Sequence, residues 1–200
     1  MTAPLAVSTL PLPLLIAKLE PRPPQMILDA ANRLEYRPLV FLGIVTHRQN
    51  ILPCGYMYVL DRPYNRITEM NRFSPETSPE GENIVGVEIP CRAGDNLWNA
   101  TPEELFDFCI GALEKDTSLR RHEVKKLLLA KASFAYPVYR MGYQKNLDLV
   151  LDYLQSLGSL KTLGRSGEFR YMDADKCMRR AFDLAETITR NQEVDVAFKP

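Results

Sequence analysis

Proline placement sets the first limit on what this chain can fold into. Six of its 15 prolines fall within the first 24 residues, and none lies between Val138 and Lys199. Proline fixes φ and lacks an N–H, so the beginning reads as extended and turn-rich, while the end is free to be helical. The uncharged stretch Met1 to Ala17 is apolar, but Pro4, Pro11 and Pro13 interrupt it and no basic residues open it. It reads neither as a membrane span nor as a secretory leader. Two hundred residues, 46% of them hydrophobic and 25% charged, suffice for one ordinary domain or two small lobes with a sizeable core.

Local patterns then place elements. Leu5 to Leu10 reads as a short apolar strand with no preceding partner, which suggests that its neighbours lie elsewhere. Pro24 to Leu34 carries apolar residues at Ile27, Ala30, Ala31 and Leu34, the spacing of a short helix. From Arg37 to Arg92 strands follow one another: Leu39 to Val45, Tyr56 to Leu60, Arg66 to Met70 and Ile84 to Ile89. Turns this short favour an antiparallel meander. Thr101-Pro-Glu-Glu104 is a capping box that opens a helix to about Glu114. Val124 to Tyr136 is ambiguous between helix and strand. Tyr143, Leu147, Val150, Leu151 and Leu154 mark a helix ending near Gly158. Leu160 to Leu163 is a short strand. The last helix carries Ala174, Cys177, Met178, Ala181, Phe182, Ala185 and Ile188 on one face, with Asp173 at its N-cap and a frayed polar tail from Thr189.

Charge and motif content exclude several chemistries. Lys plus Arg and Asp plus Glu both number 25, so the net charge is zero and the footprint of a duplex nucleic-acid binder is absent. Cys54, Cys91, Cys109 and Cys177 form no CxxC pair, and only His47 and His122 could join them. A zinc centre is thus disfavoured, and free thiols in a reducing cytoplasm are expected. His47 ends an apolar strand and reads as a hydrogen-bonded structural histidine. No GxGxxG, P-loop, HExxH or GxSxG is present. Arg66 and Glu69 fall on opposite faces of a strand, so one of them turns inward and needs a partner. The richest stretch is Leu163 to Asp175, where a strand delivers Gly164-Arg-Ser-Gly167 and a helix starts soon after. Such a loop lets backbone approach a ligand closely, and Arg165 and Arg170 could meet a phosphate. A tight turn with solvated arginines fits the same residues. Tyr136, Tyr139 and Tyr143 could line a pocket or lie in a core.

Four motifs occur in order: Ser8-Thr-Leu-Pro-Leu-Pro13, Arg66-Ile-Thr-Glu69, Ala135-Tyr-Pro-Val-Tyr139 and Gly164-Arg-Ser-Gly-x-Phe-Arg-Tyr-x-Asp-x-Asp175. From Val7 to Thr187 they resemble the C-terminal half of FAD-dependent flavoproteins of the amine oxidase and protoporphyrinogen oxidase superfamily. The branch similar to UDP-galactopyranose mutase is nearest. The resemblance implies an α+β chain: an antiparallel substrate-lobe sheet with helices, plus the C-terminal strand, loop and helix of an FAD-binding Rossmann-type domain. It divides the chain into residues 1–36, a first strand and linker helix; 37–140, the substrate lobe; and 141–200, the return to the FAD domain.

The same resemblance assigns roles. Gly164, Arg165, Ser166 and Gly167 would contact the flavin nucleotide, with Tyr171, Asp173 and Asp175 at the mouth of the site. Arg66, Tyr136 and Tyr139 would face a small-molecule substrate, a nucleotide sugar in the mutase branch. No catalytic side chain and no metal ligand is assigned, because the flavin itself would react. Phe169 stands where the mutases tend to carry tyrosine, which removes a hydroxyl that could reach a phosphate. The family's GxGxxG half is absent from these 200 residues. The resemblance therefore implies half a flavoprotein, as a fragment, a truncated product or one subunit of a split enzyme. FAD would be held only together with the other half, and a partner chain or self-association is expected. The alternative is a non-catalytic remnant that acts through protein contacts.

Overall fold

The computed structural model describes residues 3–197 of the chain, and they form two compact units. One combines the described residues up to Tyr36 with those from Tyr136 onward; the other is residues 37–135.

The first unit opens with β1 (Ala6–Ser8), α1 (Leu12–Ala17) and α2 (Gln25–Asn32). The helix α1 departs from the expected extended run. Pro11 is its N-cap and Pro13 sits in its first turn, where a missing N–H costs nothing because no carbonyl precedes it.

The second unit holds β2 (Tyr36–Thr46), β3 (Tyr56–Tyr58), β4 (Arg66–Glu69), β5 (Asn83–Pro90), α3 (Asn96–Asn99), α4 (Pro102–Asp116) and β6 (Val124–Pro137), with β2 and β6 crossing the unit boundary at their ends. Its five strands run in the order β3-β4-β5-β2-β6, and β3, β4, β5 and β2 pair antiparallel in succession. Val40, Leu42 and Ile44 stand opposite Ile89, Val87 and Val85. Being two residues apart, they share one face of the sheet. They join Leu105, Cys109 and Leu113 of α4 in one core, all fully buried. Both bonds of the capping box form: Glu104 N donates to Thr101 Oγ1 (3.2 Å) and Thr101 N to the Glu104 carboxylate (2.8 Å). The ambiguous segment is a strand. Leu127 and Leu129 pack on the core while Lys126, Leu128 and Ala130 are exposed, which is period two.

The chain then returns to the first unit with α5 (Tyr143–Ser156), β7 (Leu160–Thr162), the single turn α6 (Gly164–Gly167) and α7 (Ala174–Ala197). Here β1 finds a partner. It pairs parallel with β7, Ala6 opposite Leu160 and Ser8 opposite Thr162, and Ala6 and Val7 are exposed. The expectation of a buried strand without a neighbour in this chain is therefore corrected: its partner lies 154 positions away at the far end of the sequence. Leu12, Ile16, Ile27 and Ala31 pack with Val150, Leu154 and Phe169 in a second core. The tail expected to fray from Thr189 continues as helix to Ala197; residues 198–200 lie outside the described residues.

The α+β class holds. The four cysteines are free, His47 Nδ1 lies 2.9 Å from the Gly81 carbonyl oxygen, and no cluster of metal-ligating side chains exists among the described residues. Among those residues no helix is long and apolar enough to cross a membrane.

Candidate functional site

The turn between β7 and α7 is built by two glycines with different tasks. Gly164 has φ +82, the left-handed region that a Cβ disfavours. At Gly167 the need is space: a Cβ there would lie 3.0 Å from the Ser8 carbonyl oxygen and 3.3 Å from Thr9 Cα. The turn is thereby pressed onto the end of β1, and Leu163 N donates to the Ser8 carbonyl (2.9 Å). Tyr36 pins it from another side, its hydroxyl donating to the Ser166 carbonyl (2.7 Å). Burial pushes the Tyr36 phenol up to about 12, so it remains a donor throughout the physiological range.

Arg165 leaves this turn into an aromatic setting. Its Cζ lies 4.5 Å from the Tyr136 ring centroid and 4.3 Å from that of Tyr171, both within cation–π range. The two rings are near parallel, 6.0 Å apart. Arg165 Nη1 donates to the Met172 carbonyl (3.3 Å). Its Nε and Nη2 are buried and have no partner among the described residues. Leaving a buried charged donor unmatched costs about 1–3 kcal/mol or more, so two such donors on one guanidinium point to an acceptor supplied by a ligand. Tyr139 braces the neighbourhood: its hydroxyl accepts from Tyr171 N (2.7 Å). Beyond Met172 a cleft of about 640 Å³ is lined by Tyr171, Asp175, Lys176 and Arg179.

The expected site residues thus divide into three sets. Tyr136 and Tyr171 flank the Arg165 guanidinium, Tyr139 is bonded to Tyr171 N, and Gly164, Ser166 and Gly167 form the turn that carries Arg165. Asp173 and Asp175 are exposed at the start of α7, where the Asp173 carbonyl accepts from Cys177 N (3.1 Å). Arg66 belongs to the other unit, where it is ion-paired with Glu88 and lies 5.7 Å over the Tyr58 ring. Phe169 is 1% exposed in the core, edge-on to Tyr36 at 5.0 Å, so a residue here points inward rather than toward a ligand. Sequence reasoning missed Tyr36; it acts from 130 positions away, and no local pattern marks it.

No family model matches the chain, and no curated protein matches it by sequence. Solved structures do. A reduced UDP-galactopyranose mutase is 20% identical with a TM-score of 0.66, covering 86% of this chain and 37% of its own. A protoporphyrinogen oxidase-like protein from Exiguobacterium is 17% identical, also at 0.66, covering 92% and 40%. The chain shares their fold. An oxidoreductase from Methanosarcina mazei aligns at 0.51 with 15% identity over 67% of the chain and 32% of its own. The chain thus spans about two fifths of the length of the first two proteins, and at these identities the likeness is one of fold.

Proposed function

We propose that this chain supplies the flavin-contacting turn and the substrate lobe of an FAD-dependent enzyme, an oxidoreductase or a UDP-galactopyranose mutase-like protein. The observation that carries the reading is the Arg165 guanidinium, with two buried donors facing no acceptor in a fold shared with those proteins. FAD, when bound, supplies the redox chemistry, and the protein supplies binding and electrostatics. Arg165 Nε and Nη2 would donate to its phosphate or ring oxygens, with Tyr136 and Tyr171 excluding water from those bonds. Gly164 leaves the approach open, since nothing lies within 4 Å of where its Cβ would be. Gly167 serves the seating of the turn on β1 rather than the cofactor.

Arg66 bears on the substrate. Its guanidinium already binds Glu88, Nε to Oε1 at 2.9 Å, and a substrate diphosphate would have to compete with that carboxylate. This supports the general oxidoreductase reading over a nucleotide-sugar substrate. The four free thiols are in keeping with a reducing compartment such as the cytoplasm.

A flavin titration followed by fluorescence polarisation tests the reading. Because these 200 residues hold no GxGxxG, the chain alone should purify colourless, bind FAD weakly and gain little thermal stability from it. Arg165→Ala should weaken that binding roughly tenfold or more, as loss of a charge-assisted hydrogen bond does. Arg170→Ala, on an exposed side chain, should change it little. A yellow protein with stoichiometric flavin would overturn the shared-site reading. Equal affinity of the parent chain and Arg165→Ala would reduce residues 164–167 to a turn.

A further inference from the structure

A second cavity, of about 400 Å³, opens in the first unit. Leu147 and Leu151 of α5, Thr162 of β7, Tyr139 and Tyr143 line it, and the buried Phe169 ring packs against both tyrosines. Phe169 has φ +50, which a bulky side chain adopts only when its surroundings hold it there. Its ring lies 5.9 Å from that of Tyr139 and 5.8 Å from that of Tyr143, and the two tyrosines stack at 4.8 Å. The volume is that of small-ligand sites, and the apolar and aromatic residues share the lining with Gln144, Thr162, Glu168, Arg170 and Arg180.

Charge narrows the class of ligand. Two arginines reach the cavity, Arg170 and Arg180. Arg180 Nε donates to both oxygens of Glu168, at 2.7 and 3.0 Å, so that pair is neutral as a unit. Arg170 is exposed, and its guanidinium has no hydrogen-bond or ion-pair partner among the described residues. The cavity therefore offers aromatic walls and one uncompensated positive charge. A cationic ligand would be repelled, and a phosphate dianion would find one cation for two charges.

We propose that this cavity binds a small aromatic monocarboxylate, its ring against Tyr139 and Tyr143 and its carboxylate paired with Arg170. The site shares Tyr139 with the surroundings of Arg165 but uses Arg170 rather than the Arg165 donors, and it stands whether or not FAD binds there.

The probes are 2-naphthoate and its neutral counterpart 2-naphthamide, titrated into the full chain by calorimetry, with amide chemical shifts locating the site. The expected result is one-to-one binding of 2-naphthoate, at least several-fold tighter than 2-naphthamide, with shifts at Tyr139, Tyr143 and Arg170. Arg170→Gln should bring the two ligands to similar affinity, the loss falling on the carboxylate alone. Gln144→Trp, at an exposed position in the first turn of α5 that lines the cavity, should weaken both without disturbing the fold. Failure of 2-naphthoate to bind, shifts mapping elsewhere, or an Arg170→Gln effect equal for both ligands would each overturn the proposal.

Discussion

Glu69 shows how far a single residue could be read. Strand alternation requires that Arg66 and Glu69 face opposite ways, and the inward one is Glu69, at 1% exposure. Burial opposes its charge, but Leu52 N (2.8 Å), Ile51 N (3.1 Å), Asn83 Nδ2 (2.7 Å) and Arg72 Nε (3.3 Å) all donate to it. Together these donors hold the carboxyl below its ordinary value. Alternation predicts the buried charge but not its partners, most of which come from 14 to 18 positions away. A group whose folded pKa is lowered stabilises above its unfolded value of about 4.3, and loses that contribution as pH falls through the folded value. Glu69→Gln presents an amide N–H₂ to backbone donors and should cost about 1–3 kcal/mol at pH 7. Urea midpoints should show the gap between the two proteins narrowing below about pH 4. A gap that does not vary with pH would mean that the ionised carboxylate is not what the donors hold.

Elements announced by chemistry within one turn were legible: the capping box of α4, the periodic stripe of α5 and the apolar run of β2 all form as the sequence implies. What escaped were features set by distant chain. The pairing of β1 with β7 is closed across most of the sequence, and α1 forms because Pro11 and Pro13 fall at a helix start rather than inside one. The stripe of α7 was legible too, but its environment was not. Met178 and Phe182 are 62% and 65% exposed, and Val7 and Leu10 near β1 are 46% and 43% exposed. Residues four apart share a helix face, so Met178 and Phe182 form one apolar patch, of the kind that marks association. Light scattering at high concentration should find the chain self-associated. The double variant Met178→Glu, Phe182→Glu should be monomeric with an unchanged circular dichroism spectrum. A monomeric parent chain would remove the argument for an interaction face on α7.

At the scale of the molecule, the two hydrophobic cores do not mix. Every residue of the larger cluster, from Val40 to Leu119, falls within residues 37–135, and every residue of the smaller one falls in the unit formed by the two ends of the chain. The unit of residues 37–135 is contiguous in sequence and has a capped helix; β3–β4 and β4–β5 join consecutive strands, and the longer pairings of β2 with β5 and β6 still close within about a hundred residues, so its closure entropy is modest. The other must bring β1 to β7 across that whole insertion before its core can close. Residues 37–135 should therefore fold as an isolated polypeptide. Trp98 is the chain's single tryptophan and packs against the larger core, so its emission reports on this unit alone. The isolated polypeptide should show the Trp98 emission of the full chain and a cooperative urea transition. Red-shifted emission with a gradual transition would mean that residues 37–135 depend on the flanking unit, and that the two cores are separate in geometry but not in energy.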